Sequence, residues 1–198
     1  MSIRKAESGD LSRIAEIYVF NNRINYFPIF KDEKYSFGEM QVVPLIDNYF
    51  GKEEILGNIY VYDDGVVKAF IQINNTEICK LYVDTCFQGQ RIGHKMIQYA
   101  VGELGANHLW ALEKNTRAIS FYNKNGFNLT GRREFEDGTV EYIVGHTLEK
   151  MRAVFGTEGQ DVIACIGPGI SLQSFEVGDE VYEAFRLNGF DMSRISFR

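Results

Sequence analysis

Cysteine is scarce in this chain, and the positions of the cysteines argue against both a disulfide-bonded framework and a zinc cluster. The three cysteines are Cys79, Cys86 and Cys165. Disulfide frameworks use even numbers of cysteines and zinc clusters use closely spaced thiolates, so an odd and scattered set fits neither. We therefore expect free thiols and no metal site built on them.

Long apolar segments are also lacking. No apolar run approaches the roughly 20 residues that cross a bilayer, and residues 1–7 lack the apolar segment of a secretory signal. We therefore expect no membrane partner and a cytoplasmic location.

Basic clusters are the third absence. Lysine and arginine total 21 against 27 aspartates and glutamates, which gives a net charge of −6. Without a basic cluster a nucleic-acid partner is not expected. An acidic surface is compatible with a cationic acceptor such as an amine or a polyamine, although many proteins are this acidic for solubility alone.

The apolar content and its periodicity predict one core with an appendage. Hydrophobic residues make up 45% of the 198 residues, and strand and helix patterns alternate along residues 3–148. Ser8 is expected to cap the first helix, and Pro44 to interrupt the helical part of an aromatic-rich segment at 20–50. The other predicted elements are strands at 3–6, 58–62, 66–73, 77–84, 108–112, 127–135 and 140–148 and helices at 92–104 and 116–125, with hairpin turns at Asp63-Asp64-Gly65 and Asp137-Gly138.

One stretch, residues 81–94, predicts an anion-binding turn. It reads LYVDTCFQGQRIGH, a strand that passes through a short loop into a helix. The first N–H groups of a helix have no intrahelical partner and the helix dipole adds partial positive charge there, so a phosphate can bind. Gly89 and Gly93 let the main chain approach a ligand. Alone this is a weak signal, because nucleotide, flavin and sugar-phosphate sites all use such a turn.

A second motif, NTRAISFYNKNGF at residues 115–127, makes the pattern specific. Together, Gln88-Gly89-x-x-Ile92-Gly93 and Asn115-x-x-Ala118-Ile119-x-Phe121-Tyr122-x-x-x-Gly126-Phe127 closely resemble the GNAT superfamily of acetyl-CoA-dependent N-acetyltransferases, over about residues 3–148. The resemblance implies an α/β (α+β) GNAT fold, with a mixed, mostly antiparallel sheet flanked by helices. Arg91 departs from the family, which usually has glycine there, and it either crowds the phosphates or adds a charge to them.

The resemblance implies acetyl-CoA as co-substrate. His108 and His146 are lone histidines on β-rich runs, so we expect no metal. Asn115 would hydrogen-bond the pantetheine arm, and it can also cap the helix that follows. Backbone N–H groups at the end of the strand, freed by a bulge and by splay from the next strand, would polarise the thioester carbonyl. The implied cofactor-binding residues are Leu81, Tyr82, Val83, Gln88, Gly89, Gln90, Arg91, Ile92, Gly93, His94, Asn115 and Tyr122.

Two residues are candidates for proton transfer. Tyr122 matches the family's general acid, and its alternative role is packing on the cofactor. Glu77 matches a position that is often acidic in the family and is the candidate base, directly or through water, with Glu113 as second choice. An exposed strand-end carboxylate is the structural alternative for Glu77. Cys86 and His94 are close in sequence, but we expect no Cys-His nucleophile, because both fall in the phosphate turn.

The acceptor is expected to be a primary amine of a small molecule or a protein N-terminus, which attacks directly in a ternary complex. In the family the region equivalent to residues 20–50 covers the acceptor pocket. Its aromatic residues are therefore candidates for shaping that pocket, although aromatic side chains more commonly fill a core.

The sequence character changes near residue 149, so we divide the chain into a domain at 1–149 and an appendage at 150–198. The appendage resembles a fragment of the polyphenol oxidase or laccase-domain family, now associated with purine nucleoside phosphorylase activity. It contains no histidine, and no catalytic residue is carried over from that family. A helix with Val177, Val181, Ala184 and Phe185 on one face would pack on the first domain or on a second subunit, as in a homodimer. Two other functions stay open, a non-catalytic acyl-CoA-binding or regulatory module and an assembly unit organised by the tail.

Overall fold

The computed structural model describes residues 2–148 and, as backbone alone, Met151–Thr157 and Gln160–Ile166. The chain divides into two compact units, Met1–Leu148 and Glu149–Arg198. In the second unit, β8 (Met151–Thr157) pairs antiparallel with β9 (Gln160–Ile166). The helix predicted around Val177 and the side chain of Cys165 lie outside the described residues.

The first unit is built on a seven-stranded sheet of order β1-β2-β3-β4-β5-β7-β6. All neighbouring strands are antiparallel except β4 and β5, which are parallel. This confirms the predicted mixed, mostly antiparallel α/β architecture. The strands are β1 Ser2–Lys5, β2 Ile59–Asp63, β3 Val67–Asn74, β4 Glu77–Val83, β5 His108–Leu112, β6 Phe127–Phe135 and β7 Tyr142–Leu148.

Helices cover the two faces of this sheet. On one face α5 (Ile92–Gly102) packs on β3 and β4, and α6 (Thr116–Lys124) packs on β6. On the other face α1 (Leu11–Asn25) packs on β3 and β4. Three short helices lie between α1 and β2, namely α2 Phe27–Phe30, α3 Val42–Leu45 and α4 Glu53–Leu56, together with π-helical turns at Lys34–Glu39 and Ile46–Phe50.

Each face has its own buried core. Met96 and Ile97 of α5 pack with Ile71 and Phe127 on one side, and all four are nearly inaccessible to solvent. On the other side Ile14 and Ile17 of α1 pack with Phe50 and Phe70. The alternation of β3 explains the division, because successive side chains of a strand point to opposite faces.

The N-terminal cap of α1 differs from the prediction. Glu7, rather than Ser8, precedes a single 3-10 turn at Ser8–Asp10, and Glu7 and Asp10 form a reciprocal capping box. The Asp10 carboxylate accepts the Glu7 N–H at 2.9 Å and also pairs with Arg4 at 2.7 Å. The two carboxylates accept the backbone N–H groups of Glu7 and Asp10, which have no helical partner, and their negative charge suits the positive end of the helix. A single serine side chain would accept only one of these N–H groups.

Pro44 does not interrupt the aromatic-rich segment, contrary to the prediction. It lies in the first turn of α3, where the N–H that proline lacks would have no intrahelical partner anyway. The chain continues without a break into the π-helical turn Ile46–Phe50.

The aromatic residues of this segment also differ from the expectation that they mostly fill the core. Phe50 is fully buried, but Phe20, Tyr35 and Phe37 are each about half exposed. This leaves aromatic side chains on the surface beside α1.

The predicted bulge and splay are both present in β4. The register with β3 shifts between Lys80 and Ile78, which makes Cys79 the extra residue. On its other side β4 pairs with β5 only through Glu77 and Ile78. The strands then separate, so β4 has a free backbone edge from the bulge to Val83.

Candidate active site

A cavity of about 600 Å³ opens where β4 and β5 have separated. Because these two strands are parallel, the chain segments that follow them reach the same edge of the sheet and form the cavity together. The lining residues come from α1 and its C-terminal turn, the end of β4, the following loop, the start of α5, and α6; they are Asn21, Asn25, Tyr26, Leu81, Tyr82, Val83, Phe87, Gln88, Gly89, Arg91, Ile92, Gly93, His94, Asn115, Arg117, Ala118, Phe121, Tyr122, Lys124 and Asn125.

The loop between β4 and α5 is fixed by a short turn and two left-handed residues. The Asp84 carboxylate accepts the N–H of Cys86 at 2.7 Å and begins the turn Thr85–Phe87. Gly89 has φ +79°, and Arg91, the residue just before α5, has φ +60°. A left-handed φ costs roughly 1–2 kcal/mol for a residue with a Cβ, which gives a physical reason to prefer glycine at the position of Arg91.

Gly93 has a different role from Gly89. A Cβ at Gly93 would lie 3.1 Å from the Phe121 ring and 3.5 Å from Val83, so glycine lets α5 pack tightly against α6 and β4. The first intrahelical hydrogen bond runs from the Lys95 N–H to the Arg91 carbonyl at 3.1 Å. The preceding N–H groups, including that of Gly93, have no helical partner and are available to a ligand.

The lining residues carry positive charge in an acidic chain. Arg91, Arg117 and Lys124 line the cavity together with His94, and none of the lining residues of the described chain is an aspartate or glutamate. This sign is opposite to the chain's net charge of −6. With the helix N-terminus, it makes the cavity suited to a polyanionic ligand.

Gln88 holds the loop in place with its side chain. Its Nε2 donates to the Val83 carbonyl at 3.1 Å and to Asn21 Oδ1 at 3.3 Å. Its Oε1 accepts from Arg117 at 2.6 Å. Gln88 thus ties α1, β4 and α6 together, and Arg117 is kept at the rim by this bond.

Tyr122 lies on α6 and lines the cavity near two other phenols. Tyr82 and Tyr26 also line it, with their hydroxyl oxygens 3.4 Å apart. Burial, with a smaller contribution from the charge of Tyr26, raises the pKa of Tyr122 well above its ordinary value of 10.0. Burial also raises the pKa of Tyr82 and of Tyr26. All three phenols therefore keep their protons at neutral pH.

Asn115 caps the N-terminus of α6, which is the structural role expected for it beside contact with the pantetheine arm. Its Oδ1 accepts the N–H of Ala118 at 3.1 Å. The same side chain lines the cavity, where it slightly opposes the rise that burial causes in the pKa of Tyr26. The cap fixes the start of α6 and so the position of Tyr122.

The structure brings together most of the predicted site residues, but not all of them. Gln90 is exposed and outside the lining. Glu77 is outside it too, at the start of β4, where its carboxylate lies 3.7 Å from His108 Nε2. Leu81, which lines the cavity, is roughly 13 Å further along an extended strand. Glu113 pairs at 2.6 Å with Arg133 and also lies outside the cavity lining.

The histidines and cysteines of residues 2–148 do not form a reactive pair. His94 Nδ1 donates to Asn125 Oδ1 at 2.5 Å, whereas Cys86 is exposed. His146 is buried, its Nδ1 donates to the Val144 carbonyl at 3.1 Å, and burial lowers its pKa. Within the described residues no group of three or more His, Cys, Asp or Glu side chains is arranged to hold a metal ion.

Several lining residues were missed by the sequence analysis. Arg117 and Lys124 supply charge from α6, and Asn21 and Asn25 enter from α1. For α6 a usable signal existed, because Ala118, Tyr122 and Asn125 share a helical face and Arg117 and Lys124 flank it. For α1 the sequence gave no local signal, since its cavity contact follows from how the helix packs across the sheet.

Comparison with known proteins agrees with this fold. Residues 53–129 match the family model described as acetyltransferase (GNAT) domain. The solution structure of apo YjaB from Escherichia coli has a TM-score of 0.60 at 18% identity, covering 74% of this chain and 96% of that one. The PaiA N-acetyltransferase of Thermoplasma acidophilum, solved with coenzyme A, has a TM-score of 0.54 at 23% identity, covering 74% and 98%. The first unit therefore has the fold of these acetyltransferases, and residues 53–129 within it match the GNAT family model.

Among curated proteins, the peptidyl-lysine N-acetyltransferase YjaB of Salmonella typhimurium is 30% identical over 79 residues, which are 40% of this chain and 54% of that protein. The purine nucleoside phosphorylase of Bacteroides thetaiotaomicron is 70% identical over 61 residues, 31% of this chain and 23% of that protein. The chain thus spans about a quarter to a half of the length of these curated relatives.

The second part of the chain carries a second family match. Residues 131–198 match the model described as multi-copper polyphenol oxidoreductase laccase, which confirms the predicted resemblance of the tail to a fragment of that family. The match contains one histidine, His146, which is buried with Nδ1 bonded to a carbonyl. The described residues therefore do not fit a copper site. The two family matches meet in β6, whereas the compact first unit continues to Leu148.

Every helix in the part of the chain that the structure describes is too short or too polar to span a membrane.

Proposed function

We propose that this chain transfers the acetyl group of acetyl-CoA to a primary amine, by direct attack in a ternary complex. The observation that carries the proposal is a protonated phenol, Tyr122, in a cavity bordered by cationic side chains and by the N-terminus of α5. These features serve the two ends of one ligand, a polyanionic end and a leaving group that needs a proton.

The cationic groups of the cavity support binding of the phosphates. Arg91 and Arg117 would neutralise them, and the free N–H groups at Ile92, Gly93 and His94 would donate hydrogen bonds. Asn115 would hydrogen-bond the arm between the phosphates and the reacting end. The free edge of β4 at Leu81–Val83 offers N–H groups to the acyl oxygen, because β5 has turned away there.

Acetyl-CoA, when bound, supplies a thioester carbon to which the amine nitrogen bonds as the carbon–sulfur bond breaks. Tyr122 donates its proton to the departing sulfur as negative charge develops there. The ordinary pKa of a thiol, near 8.5, is lower than that of the buried phenol, so the phenolate is the stronger base of the two. The phenolate left on Tyr122 then takes a proton from the nitrogen, which restores the phenol. Glu77 is retained as a proton acceptor only through water, because it lies outside the cavity lining.

The acceptor class is proposed from the chemistry and from one relative. A primary amine on a small molecule or a protein N-terminus fits the reaction. The YjaB proteins are described as peptidyl-lysine N-acetyltransferases, which adds a lysine side chain to the panel of acceptors.

The test combines calorimetric titration with CoA and an assay of free-CoA release. The whole chain is supplied with acetyl-CoA and a panel of amines that includes lysyl peptides, peptide N-termini and polyamines at neutral pH. We expect saturable CoA binding and amine-dependent release of CoA. Binding without release for any amine would instead favour a non-catalytic acyl-CoA-binding module.

A further inference from the structure

The loop between β4 and α5 is anchored to the sheet at its first residue, Asp84. The Asp84 N–H donates to the Lys68 carbonyl of β3 at 2.8 Å, and the Asp84 carbonyl accepts the Phe87 N–H at 2.9 Å. One carboxylate oxygen, Oδ1, accepts the Cys86 N–H at 2.7 Å. The backbone and the side chain of Asp84 therefore set the direction in which the loop leaves the sheet.

The other carboxylate oxygen of Asp84 is held by Arg13, which lies in the first turn of α1. Arg13 Nη2 donates to Asp84 Oδ2. Arg13 Nε donates to the Val67 carbonyl at 3.0 Å, and Nη1 donates to Glu16 at 2.7 Å. One guanidinium group thus joins α1, the first residue of β3 and the start of the loop.

This ion pair differs from an ordinary surface pair in its burial and its geometry. The side chain of Arg13 is 25% exposed and that of Asp84 is 14% exposed. Burial alone would raise the pKa of Asp84, but the Cys86 N–H and Arg13 outweigh it and lower that pKa. The positive end of α1 opposes a cation in its first turn, so Arg13 depends on these partners. A partly buried pair with its other polar atoms also bonded is held in one geometry, whereas an exposed pair contributes little.

Neither Arg13 nor Asp84 lines the cavity, so their effect on a ligand there is indirect. Helix α1 also holds the same stretch of chain at a second point. Asn21 Nδ2 donates to the Val83 carbonyl at 3.1 Å, and Asn21 Oδ1 accepts from Gln88 at 3.3 Å. Two side chains of one helix therefore fix the residues on either side of the turn that begins at Asp84.

We propose that Arg13 positions the CoA-binding loop from outside the cavity, because it holds Asp84 and with it the turn that leads to the N-terminus of α5. The inference rests on the proposed use of acetyl-CoA, and it adds a residue that neither motif contains. A loop that is already held in place loses less conformational freedom when a ligand binds. Arg13 therefore raises CoA affinity without touching CoA.

The test compares Arg13→Gln with Arg4→Gln in the whole chain. Arg4 is the matched control, because it also joins two carboxylates, those of Asp10 and Asp63, and lies outside the cavity lining. Thermal unfolding and calorimetric titration with CoA are measured for each variant. We expect both variants to unfold at a lower temperature. Arg13→Gln should bind CoA about 10-fold more weakly than the parent chain, and Arg4→Gln should stay within about twofold of it.

Asp84→Asn tests whether Arg13 acts through Asp84, because its amide oxygen can still accept the Cys86 N–H although the charge is lost. We expect the double variant to lose about as much CoA affinity as Arg13→Gln alone. In the acetyl-transfer assay Arg13→Gln should raise the KM for acetyl-CoA and leave kcat within about twofold. Equal CoA affinity in the parent chain and in Arg13→Gln would overturn the assignment, as would losses that add in the double variant.

Hydrogen exchange of the chain without ligand, followed by mass spectrometry, reads the loop directly. The N–H groups of residues 85–88 should exchange about 10-fold faster in Arg13→Gln and in Asp84→Asn than in the parent chain, and at the parent rate in Arg4→Gln. If Arg13→Gln does not fold, Asp84→Asn alone decides, and an unchanged exchange rate in it would overturn the assignment. Failure of the parent chain to bind CoA would overturn the proposed function, and the exchange rates would then still decide whether Arg13 holds the loop.

Discussion

The two halves of the cavity are built in different ways. The half that would hold the phosphates consists of the end of β4, the loop to α5 and the start of α6, which are close in sequence and joined by Gln88. The other half brings the Tyr26 hydroxyl, from the segment after α1, to 3.4 Å from the Tyr82 hydroxyl on β4. The first half reads as a local motif, whereas the second exists only after distant segments have packed. The difference teaches that cofactor chemistry can be read from a sequence more readily than acceptor chemistry.

Removal of the Tyr122 proton should have the largest effect and should leave the phosphate half intact. Tyr122→Phe keeps the ring, so we expect kcat to fall by about 10²-fold with nearly unchanged CoA affinity. The loss should be smaller with a thioester whose thiol is more acidic, since a better leaving group depends less on protonation. Equal losses across leaving groups, measured by CoA release, would contradict the acid role.

The pH profile gives an independent check on Tyr122. Because the protonated phenol is the active form and burial raises its pKa, the rate should not fall through loss of that proton until well above pH 10.0. A descending limb below pH 9 that disappears in Tyr122→Phe would contradict the raised pKa.

A side chain at Gly93 should break the phosphate half. Gly93→Val would press on Phe121 and Val83, so we expect CoA affinity to fall by about 10-fold or more and the free energy of unfolding to fall by roughly 1–3 kcal/mol. Gly102→Val is the matched control in the same helix, because a Cβ there meets nothing within 4 Å. The assignment of the loop fails if Gly93→Val folds and binds CoA as the parent chain does.

Charge at the rim should have a smaller effect that depends on salt. Arg117→Gln removes one cation beside the cavity, and we expect CoA affinity to fall by about fivefold at low salt and by less at high salt. Arg132→Gln removes a cation outside the cavity lining and should have little effect. Titrations at two ionic strengths compare the variants, and identical salt dependence in both would remove Arg117 from the binding surface.

The smallest effect concerns Arg91, where charge and backbone strain oppose each other. Arg91→Gly should raise the free energy of unfolding by about 1 kcal/mol, because Arg91 has φ +60°, and should weaken CoA binding through loss of the charge. Lys31→Gly, at φ +55° outside the cavity lining, should stabilise similarly without changing CoA affinity. Tighter CoA binding by Arg91→Gly would show that the arginine obstructs the site.

The sequence predicted the parts of the fold that follow local rules. Asp63-Asp64-Gly65 does turn the β2–β3 hairpin, with Gly65 at φ +105°, and β5 has the predicted bounds of 108–112. The π-helical turns were missed, because their hydrogen bonds have no distinct residue pattern. The expected burial of the aromatic segment failed for Tyr35 and Phe37, because aromatic content predicts apolar area but not which neighbours cover it.

In the candidate site, too, the residues that belong to a local sequence motif were predicted, and those placed by packing were not. Tyr122 and Asn115 were predicted by motif and do line the cavity, whereas their assigned roles are still proposals. Gln88 was expected to contact the cofactor, but its side chain is used by Val83, Asn21 and Arg117. Contacts from α1 depend on packing between residues that are more than sixty positions apart, as for Asn21 and Gln88.

The position of β7 in the sheet affects the order in which the protein can assemble during synthesis. β7 is the last strand of the first unit, yet it lies between β5 and β6 and supplies hydrogen bonds to both. A ribosome adds roughly 5–20 residues per second. β5 and the Asn115 cap that follows it therefore lack the adjacent strand β7 until Leu148 has left the exit tunnel. The cavity is therefore completed late, and until then the nascent chain presents an open strand edge that a chaperone would be expected to cover.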